Sequence, residues 1–216
     1  MSSSAVKRGA FIVLEGCDRS GKTTIAKRLS DSPGFEFFRF PDRDSPLTGS
    51  LINSFLTGGT PMSSQLIHLL FSANRWEKVP SMLSVLSAGK NIICDRYAYS
   101  GIAYSSSKPG MDFDWCAGPD NGLPTPDLVI FLDVSPEQAL KRGGFGEEVY
   151  EKVGFQAKVR DIYTTKLVGK GGEWKWISTD GKTLDDTYCA VKTLVDEVLS
   201  QDRPHNLIPL NIKDSS

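Results

Sequence analysis

The chain has 216 residues, 39% hydrophobic and 24% charged, with a formal net charge of −1. That length and apolar share suit one soluble domain with a sizeable core. The balanced charge excludes the broad basic footprint of a nucleic-acid binder, and no apolar run approaches the roughly 18 residues of a membrane span.

In chain order, Lys7-Arg8 precede a short apolar run, Ala10–Leu14, that ends at Glu15. The run is too short for a signal peptide and reads as a buried parallel strand. Gly16-Cys17-Asp18-Arg19-Ser20-Gly21-Lys22-Thr23 follows and fits G-x-x-x-x-G-K-[ST], the loop that wraps a nucleoside triphosphate. Glycines let successive backbone N–H groups converge on an anion, and the next helix adds the partial positive charge of its N-terminus. Lys22 supplies a full charge to the phosphates, and the Thr23 hydroxyl suits Mg²⁺. Ile25 and Leu29 lie one helical turn apart, so the setting is strand, loop, helix.

A second strand is expected over Phe35–Phe40, running into Phe40-Pro41-Asp42-Arg43. Ser63 is expected to cap a helix whose core face is Leu66, Leu69, Ala73 and Trp76. Pro80 is expected to open a further turn or helix that Gly89 closes. Strand three, Asn91–Cys94, leads into Asp95-Arg96-Tyr97, and strand four, Leu128–Val134, carries Asp133 at its end. Ser135-Pro136 caps a helix leading to Gly143-Gly144-Phe145-Gly146. Trp174–Ser178 is the fifth strand, and Val191, Leu194, Val195 and Val198 stripe the last helix. The tail from Pro204 to Ser216 reads as irregular and partly mobile. Cys17, Cys94, Cys116 and Cys189 form no C-x-x-C, and the histidines are His68 and His205. This pattern argues against zinc and for free thiols in a reducing, intracellular compartment, the cytoplasm first.

Strands alternating with helices predict an α/β fold, a five-stranded parallel sheet with helices on both faces. Ligands of such sheets bind beyond the carboxyl ends of the strands. Arg19, Arg43 and Arg96 stand at three of those ends, with Asp95 beside the last. Cations and a carboxylate around a triphosphate cradle suit phosphoryl transfer, where positioning and charge stabilisation are nearly all of catalysis. Phe71 and Arg75, four residues apart, share a second face of the Ser63 helix. They read either as a platform for a planar base or as a secondary core contact with a snorkelling Arg.

The Gly16–Thr23 loop, Phe40-Pro41-Asp42-Arg43, Leu69-Leu70-Phe71-Ser72-Ala73-Asn74-Arg75-Trp76-Glu77 and Asp95-Arg96-Tyr97 together resemble eukaryotic thymidylate kinase. So do Asp114-Trp115-Cys116, Gly122-Leu123-Pro124 and Pro126-Asp127. The similarity runs from about Arg8 to about Leu199, and the Phe-Ser-Ala-Asn-Arg-Trp segment is its most specific part. The resemblance implies a nucleoside monophosphate kinase fold, one domain over residues 1–216, and ATP + dTMP → ADP + dTDP with Mg²⁺ in a homodimer serving dTTP synthesis. It implies that Gly16, Asp18, Arg19, Ser20, Gly21, Lys22, Thr23 and Thr24 hold ATP. Thr23 and Asp95 would position Mg²⁺. Arg43 and Arg96 would take the acceptor phosphate, Phe71 would stack on thymine beside Phe40, and Arg75 would bond the base edge. Asp18, Tyr104 and Tyr150 would lie near the sugar, and Ser100, Gly101 and Gln156, a position close to Tyr150, would complete the substrate site. Residues from about 142 to 150 would form the lid, with Arg142 on adenine.

The chain departs from the family pattern at Asp42, usually Glu, at Val149, usually Arg, and at Cys17, usually aliphatic. The last places a thiol near the nucleotide. With no lid cation at Val149, elimination assigns the γ-phosphate in the transition state to Arg19, as an arginine finger in cis; the competing role is an Arg that steadies the loop. Lys22, Asp95 and Arg96 complete the catalytic set. A regulatory GTPase would need N-K-x-D, which is absent. A kinase for another nucleoside monophosphate or a small metabolite competes with the dTMP assignment, and a non-enzymatic P-loop scaffold competes with catalysis itself.

Overall fold

The computed structural model describes residues 7–142, 150, 153–204 and 206–213. In these residues the elements run β1 (Phe11–Glu15), α1 (Lys22–Ser30), β2 (Phe35–Arg39), α2 (Gly49–Leu56), α3 (Ser64–Ser87) and β3 (Asn91–Asp95). They continue with α4 (Ala98–Ser106), α5 (Phe113–Ala117), β4 (Leu128–Asp133), α6 (Pro136–Lys141), α7 (Val153–Ile162), β5 (Glu173–Ser178) and α8 (Leu184–Ser200). The sheet has five strands in the order β2-β3-β1-β4-β5, and every pairing is parallel. The five expected strands therefore all form, within a residue or two of their expected bounds.

Period-two alternation divides the central strands between two cores. Phe11 and Val13 of β1 join Val129 and Phe131 of β4 on one face, with Met82 and Leu86 of α3, much of α4 and Val159 of α7. Ile12 and Leu14 join Leu128, Ile130 and Leu132 on the other, with Ile25 and Leu29 of α1 and Val191, Val195 and Val198 of α8. Burial on both faces explains why β1 and β4 read as unbroken apolar runs. Ser63 caps α3, and Ser135 caps α6 with Pro136 at its first turn. Thr183 and Asp186 make a capping box on α8.

Two expectations are corrected. First, α3 buries the opposite face. Leu66 is 49% exposed and Trp76 40%, with Leu69 and Ala73 exposed beside them. The buried side carries Ile67, His68, Phe71, Ser72, Asn74 and Arg75. Most of the polar atoms on that side find partners: Ser72 donates to Asp120 at 2.7 Å, Asn74 donates to the Asp42 carbonyl at 2.9 Å, and His68 Nδ1 meets Ser105 Oγ at 2.8 Å, while His68 Nε2 has no hydrogen-bond partner among the described residues. Second, Pro80 lies inside α3 and opens nothing; the helix continues to Ser87 because Met82 and Leu86 pack into the core. The described part of the tail is irregular, as expected, and is anchored at two points. Leu210 and Ile212 are buried, and Leu210 N donates to the Leu123 carbonyl at 2.7 Å while its own carbonyl accepts from Gly122 N at 2.8 Å.

Candidate active site

All the strands point one way, so their carboxyl ends gather in one place. A cleft of about 410 Å³ opens there, with Asp18, Arg19, Gly21, Lys22, Thr23, Thr24, Phe40, Arg43, Phe71, Arg75, Arg96, Ser100, Gly101, Tyr104 and Tyr150 among its walls. Most of the expected site residues thus meet in one cavity. Gly16, Ser20, Asp95, Arg142 and Gln156 are absent from its walls and each contacts a residue that lines it.

The loop is built for close approach. Gly16 has φ 140°, and a Cβ there would lie 2.3 Å from the Leu132 carbonyl oxygen, so no other residue fits. Arg19 and Arg96 both hold positive φ, 66° and 69°, a conformation that costs a non-glycine residue of order 1–3 kcal/mol and clusters at functional sites. Lys22 is 4% exposed and donates to the Cys17 carbonyl at 2.6 Å and to Ser20 Oγ at 3.1 Å. Burial, together with the charge of Arg96, pushes its ammonium down to about 8.

Thr23 Oγ1 donates to Asp95 Oδ2 at 2.6 Å. Asp95 Oδ1 is buried without a hydrogen-bond partner among the described residues. A hydroxyl beside a carboxylate with a spare buried oxygen is a donor set that suits Mg²⁺.

Arg96 is held by several partners. It donates to the Gly16 carbonyl at 3.1 Å and to Ser100 Oγ at 3.2 Å, and it forms an ion pair with Asp18. Its guanidinium stands 5.1 Å from the centre of the Tyr104 ring. Gln156 is buried behind Asp18: its Nε2 donates to Asp18 Oδ2 at 2.7 Å and its Oε1 accepts from Asp18 N at 3.0 Å. Gln156 thus braces Asp18, and its Nε2 also donates to the Tyr150 carbonyl at 3.0 Å, the neighbour expected for it. Arg142 likewise donates to the Arg19 carbonyl at 2.7 Å and to the Thr179 carbonyl at 3.0 Å, so it ties the loop to the turn after β5. The remaining lid residues, 143–149 with Val149 among them, lie outside the described residues.

Phe71 and Arg75 reach the cleft from the buried side of α3. Arg75 does not snorkel. It is 3% exposed, and its fork engages Asp120 through Nε–Oδ1 at 3.0 Å and Nη2–Oδ2 at 2.6 Å. A Cβ on residue 101 would lie 2.6 Å from Arg75 Nη2, so Gly101 is needed for the guanidinium to lie flat on α4. Asn74 fixes the turn after β2: its Oδ1 accepts from Asp42 N at 2.7 Å, which directs Arg43 toward the cleft.

Cys17 lies within the phosphate loop as a buried thiol. Its Sγ faces the Gln156 carbonyl at 3.7 Å, and burial pushes the thiol up to about 11. Four residues of consequence were missed. Asp120 anchors Arg75, and Asn74 holds the turn after β2. Arg39 lines the cleft 3.6 Å from Asp95. Glu15 is fully buried beneath the loop. Glu15 carried a sequence signal, as an acidic residue between a buried strand and a phosphate loop, and Asn74 stood in the Phe-Ser-Ala-Asn-Arg-Trp segment.

The family model described as thymidylate kinase matches residues 14–186. The thymidylate kinase of Dictyostelium discoideum is 44% identical over 197 residues, which cover 88% of this chain and 86% of that protein. That of Danio rerio is 42% identical over 199 residues, covering 90% and 93%. The solved structure of thymidylate kinase from Candida albicans superposes with a TM-score of 0.81 at 37% identity, covering 97% of this chain and 99% of that one.

Proposed function

The chain belongs to the thymidylate kinase family, and from that footing we propose that it transfers the γ-phosphoryl group of ATP to dTMP, giving ADP and dTDP for dTTP synthesis. One observation carries the reading: the triphosphate loop and the Phe71–Arg75 pocket open into the same cleft. Donor and acceptor phosphates then meet between Lys22, Arg43 and Arg96, where approach and orientation supply much of the rate.

In this reading the loop amides from Gly16 to Thr24 and the Lys22 ammonium hold the ATP phosphates. Thr23 and Asp95 hold Mg²⁺, which neutralises charge on the donor phosphates when bound. Arg43 and Arg96 orient the acceptor phosphate. Phe71, with Phe40, offers a flat apolar wall to thymine, and Arg75, already aligned by Asp120, donates to the base edge. Asp18, Ser100, Gly101, Tyr104 and Tyr150 line the space left for deoxyribose. Arg19 meets the γ-phosphate as charge redistributes. Arg19→Ala is then expected to lower kcat by at least about 100-fold with ATP and dTMP binding little changed, since such cations act mainly in the transition state.

The outer face of α3 supports a homodimer. Leu66, Leu69, Ala73, Trp76, Pro80 and Leu83 are all exposed, and they recur at alternating spacings of three and four, the seam pattern of paired helices. The whole chain reads as one domain. Free thiols, three buried and one exposed, fit a reducing cytoplasmic setting. No helix among the described residues is long and apolar enough to cross a membrane.

A coupled assay of ADP release with dTMP, dUMP, dCMP, dGMP and AMP tests the assignment. dTMP should lead. dUMP should follow by roughly 10- to 200-fold in kcat/KM, the discrimination a slot for one methyl provides. Faster turnover of dCMP, dGMP or AMP would overturn it.

A further inference from the structure

Beneath the loop, at the end of β1, sits a carboxylate with no role in the transfer as proposed. Glu15 is fully buried, and its two oxygens divide their work. Oε1 accepts from Tyr97 N at 2.8 Å and from Ser100 N at 3.2 Å, at the start of α4. Oε2 accepts from Ser100 Oγ at 2.5 Å and from Tyr163 OH at 2.7 Å. Ser100 Oγ in turn accepts from Arg96 Nη1 at 3.2 Å. We propose that Glu15 is a positioning residue for phosphoryl transfer, setting the direction of a hydrogen-bond relay that runs from the Arg96 guanidinium through the Ser100 hydroxyl to the Glu15 carboxylate. The proposal rests on the reading of Arg96 as the acceptor-phosphate residue.

The argument is one of donor polarity. Arg96 has only donors to offer, so Ser100 Oγ must present a lone pair to it. A hydroxyl does so reliably when its own proton is committed elsewhere, and Glu15 Oε2 takes that proton. Tyr163 commits its proton to the same oxygen. The other oxygen anchors backbone amides on either side of Ala98, at the N-terminal end of α4, where a carboxylate is favoured electrostatically. One side chain thus fixes both the backbone that carries Arg96, held at positive φ, and the direction of the hydroxyl that receives its guanidinium. A carboxylate serving only as a helix cap would have no need of the Ser100 and Tyr163 hydroxyls.

Glu15→Gln isolates this role at constant shape. The amide oxygen must stay with the backbone N–H groups, because an NH₂ group cannot accept from them. The NH₂ group then faces Ser100 Oγ and Tyr163 OH, and both hydroxyls must accept from it. The Ser100 proton then turns either toward Arg96, where two donors oppose each other, or to Tyr163 OH at 2.9 Å; in both cases the carboxylate charge that Arg96 meets through this hydroxyl is lost. Misalignment of a reacting group by about 1 Å can cost on the order of 100-fold. Glu15→Gln is therefore expected to lower kcat or raise KM for dTMP by about 10- to 100-fold, with ATP affinity within about two-fold of wild type.

The experiment compares wild type, Glu15→Gln, Ser100→Ala, the double variant and Arg96→Ala, each by melting temperature, ATP binding by titration calorimetry, and kcat and KM for both substrates. Non-additive kinetics support the relay: once Ser100 is gone, Glu15→Gln should add little further loss. If Glu15→Gln does not fold, Ser100→Ala alone carries the test, with the same acceptor-side loss and intact ATP binding expected. A folded Glu15→Gln enzyme with kcat and dTMP KM within two-fold of wild type overturns the proposal, as do fully additive losses or equal changes in both KM values. If Arg96→Ala leaves acceptor kinetics unchanged, the reading of Arg96 fails instead; a defect in Glu15→Gln then shows that Glu15 does not act through Arg96.

Discussion

Replacing Asp120 by Ala should damage both the fold and acceptor recognition, although Asp120 does not line the cleft. The carboxylate is fully buried and is held against Arg75, itself 3% exposed, by two short hydrogen bonds. It also accepts from Ser72 Oγ at 2.7 Å. Removal strands a buried guanidinium without its ion-pair partner, a change that costs about 3–5 kcal/mol. At about 2–4 °C per kcal/mol for a chain of this size, the melting temperature should fall by roughly 6–20 °C. The kinetic effect is separate. Without its fork partner Arg75 no longer presents fixed donors to the base edge, and a hydrogen bond to a charged group is worth about 1.5–3 kcal/mol. KM for dTMP should therefore rise by roughly 10- to 100-fold while KM for ATP stays near wild type. Differential scanning calorimetry and initial-rate kinetics read the two effects. Ser72→Ala, which removes a neutral partner only, should shift both far less. A melting temperature within about 2 °C of wild type, or equal changes in the two KM values, would refute the reasoning that Asp120 supports Arg75.

Lys22 carries a pH dependence. Its folded value near 8 lies below the ordinary lysine value of 10.5, so between those limits the unfolded chain binds more protons and stability without nucleotide rises with pH. ATP phosphates favour the charged ammonium, so ATP binding near pH 8 should take up a proton and weaken as pH rises further. Calorimetric titration in buffers of different ionisation enthalpy checks this, and a buffer-independent heat counts against it. His68, buried and pushed down to about 4 by that burial, makes stability fall as pH drops from the ordinary 6.5 toward 4; His68→Asn should flatten the melting-temperature profile over that window. Brief alkylation of the native protein should label Cys189 alone, since Cys17, Cys94 and Cys116 are buried with thiols pushed above their ordinary value by burial; peptide mapping reads the outcome, and ATP-sensitive labelling at Cys17 would restore a nucleotide-facing thiol. Leu69→Glu puts a charge on the exposed seam of α3 and should convert a dimer to a monomer by light scattering, with little loss of monomer stability because the side chain is already 45% exposed.

The sequence by itself determined the parts that depend on local chemistry. Apolar runs at Ala10–Leu14 and Leu128–Val134 announced strands, which prove buried on both faces, and a glycine loop before a helix announced an anion cradle. A parallel sheet then forces its strand ends together, so Lys22, Asp95 and Arg96 could be placed in one site without coordinates. What only the tertiary structure decided was which groups satisfy each other. The apolar face of α3 reads as core by periodicity, yet its polar face is the buried one, because Asp120, Asp42 and Ser105 arrive from distant segments to pair with it. The same holds for Glu15, which reads as the boundary of a strand and becomes a hub only when α4 and Tyr163 fold over it, and for Leu210 and Ile212, which look like an irregular tail until the loop at 121–125 meets their backbone. Periodicity records how hydrophobic a face is. Whether a face is buried also depends on hydrogen bonds between residues far apart in the chain, and no local pattern encodes those partners.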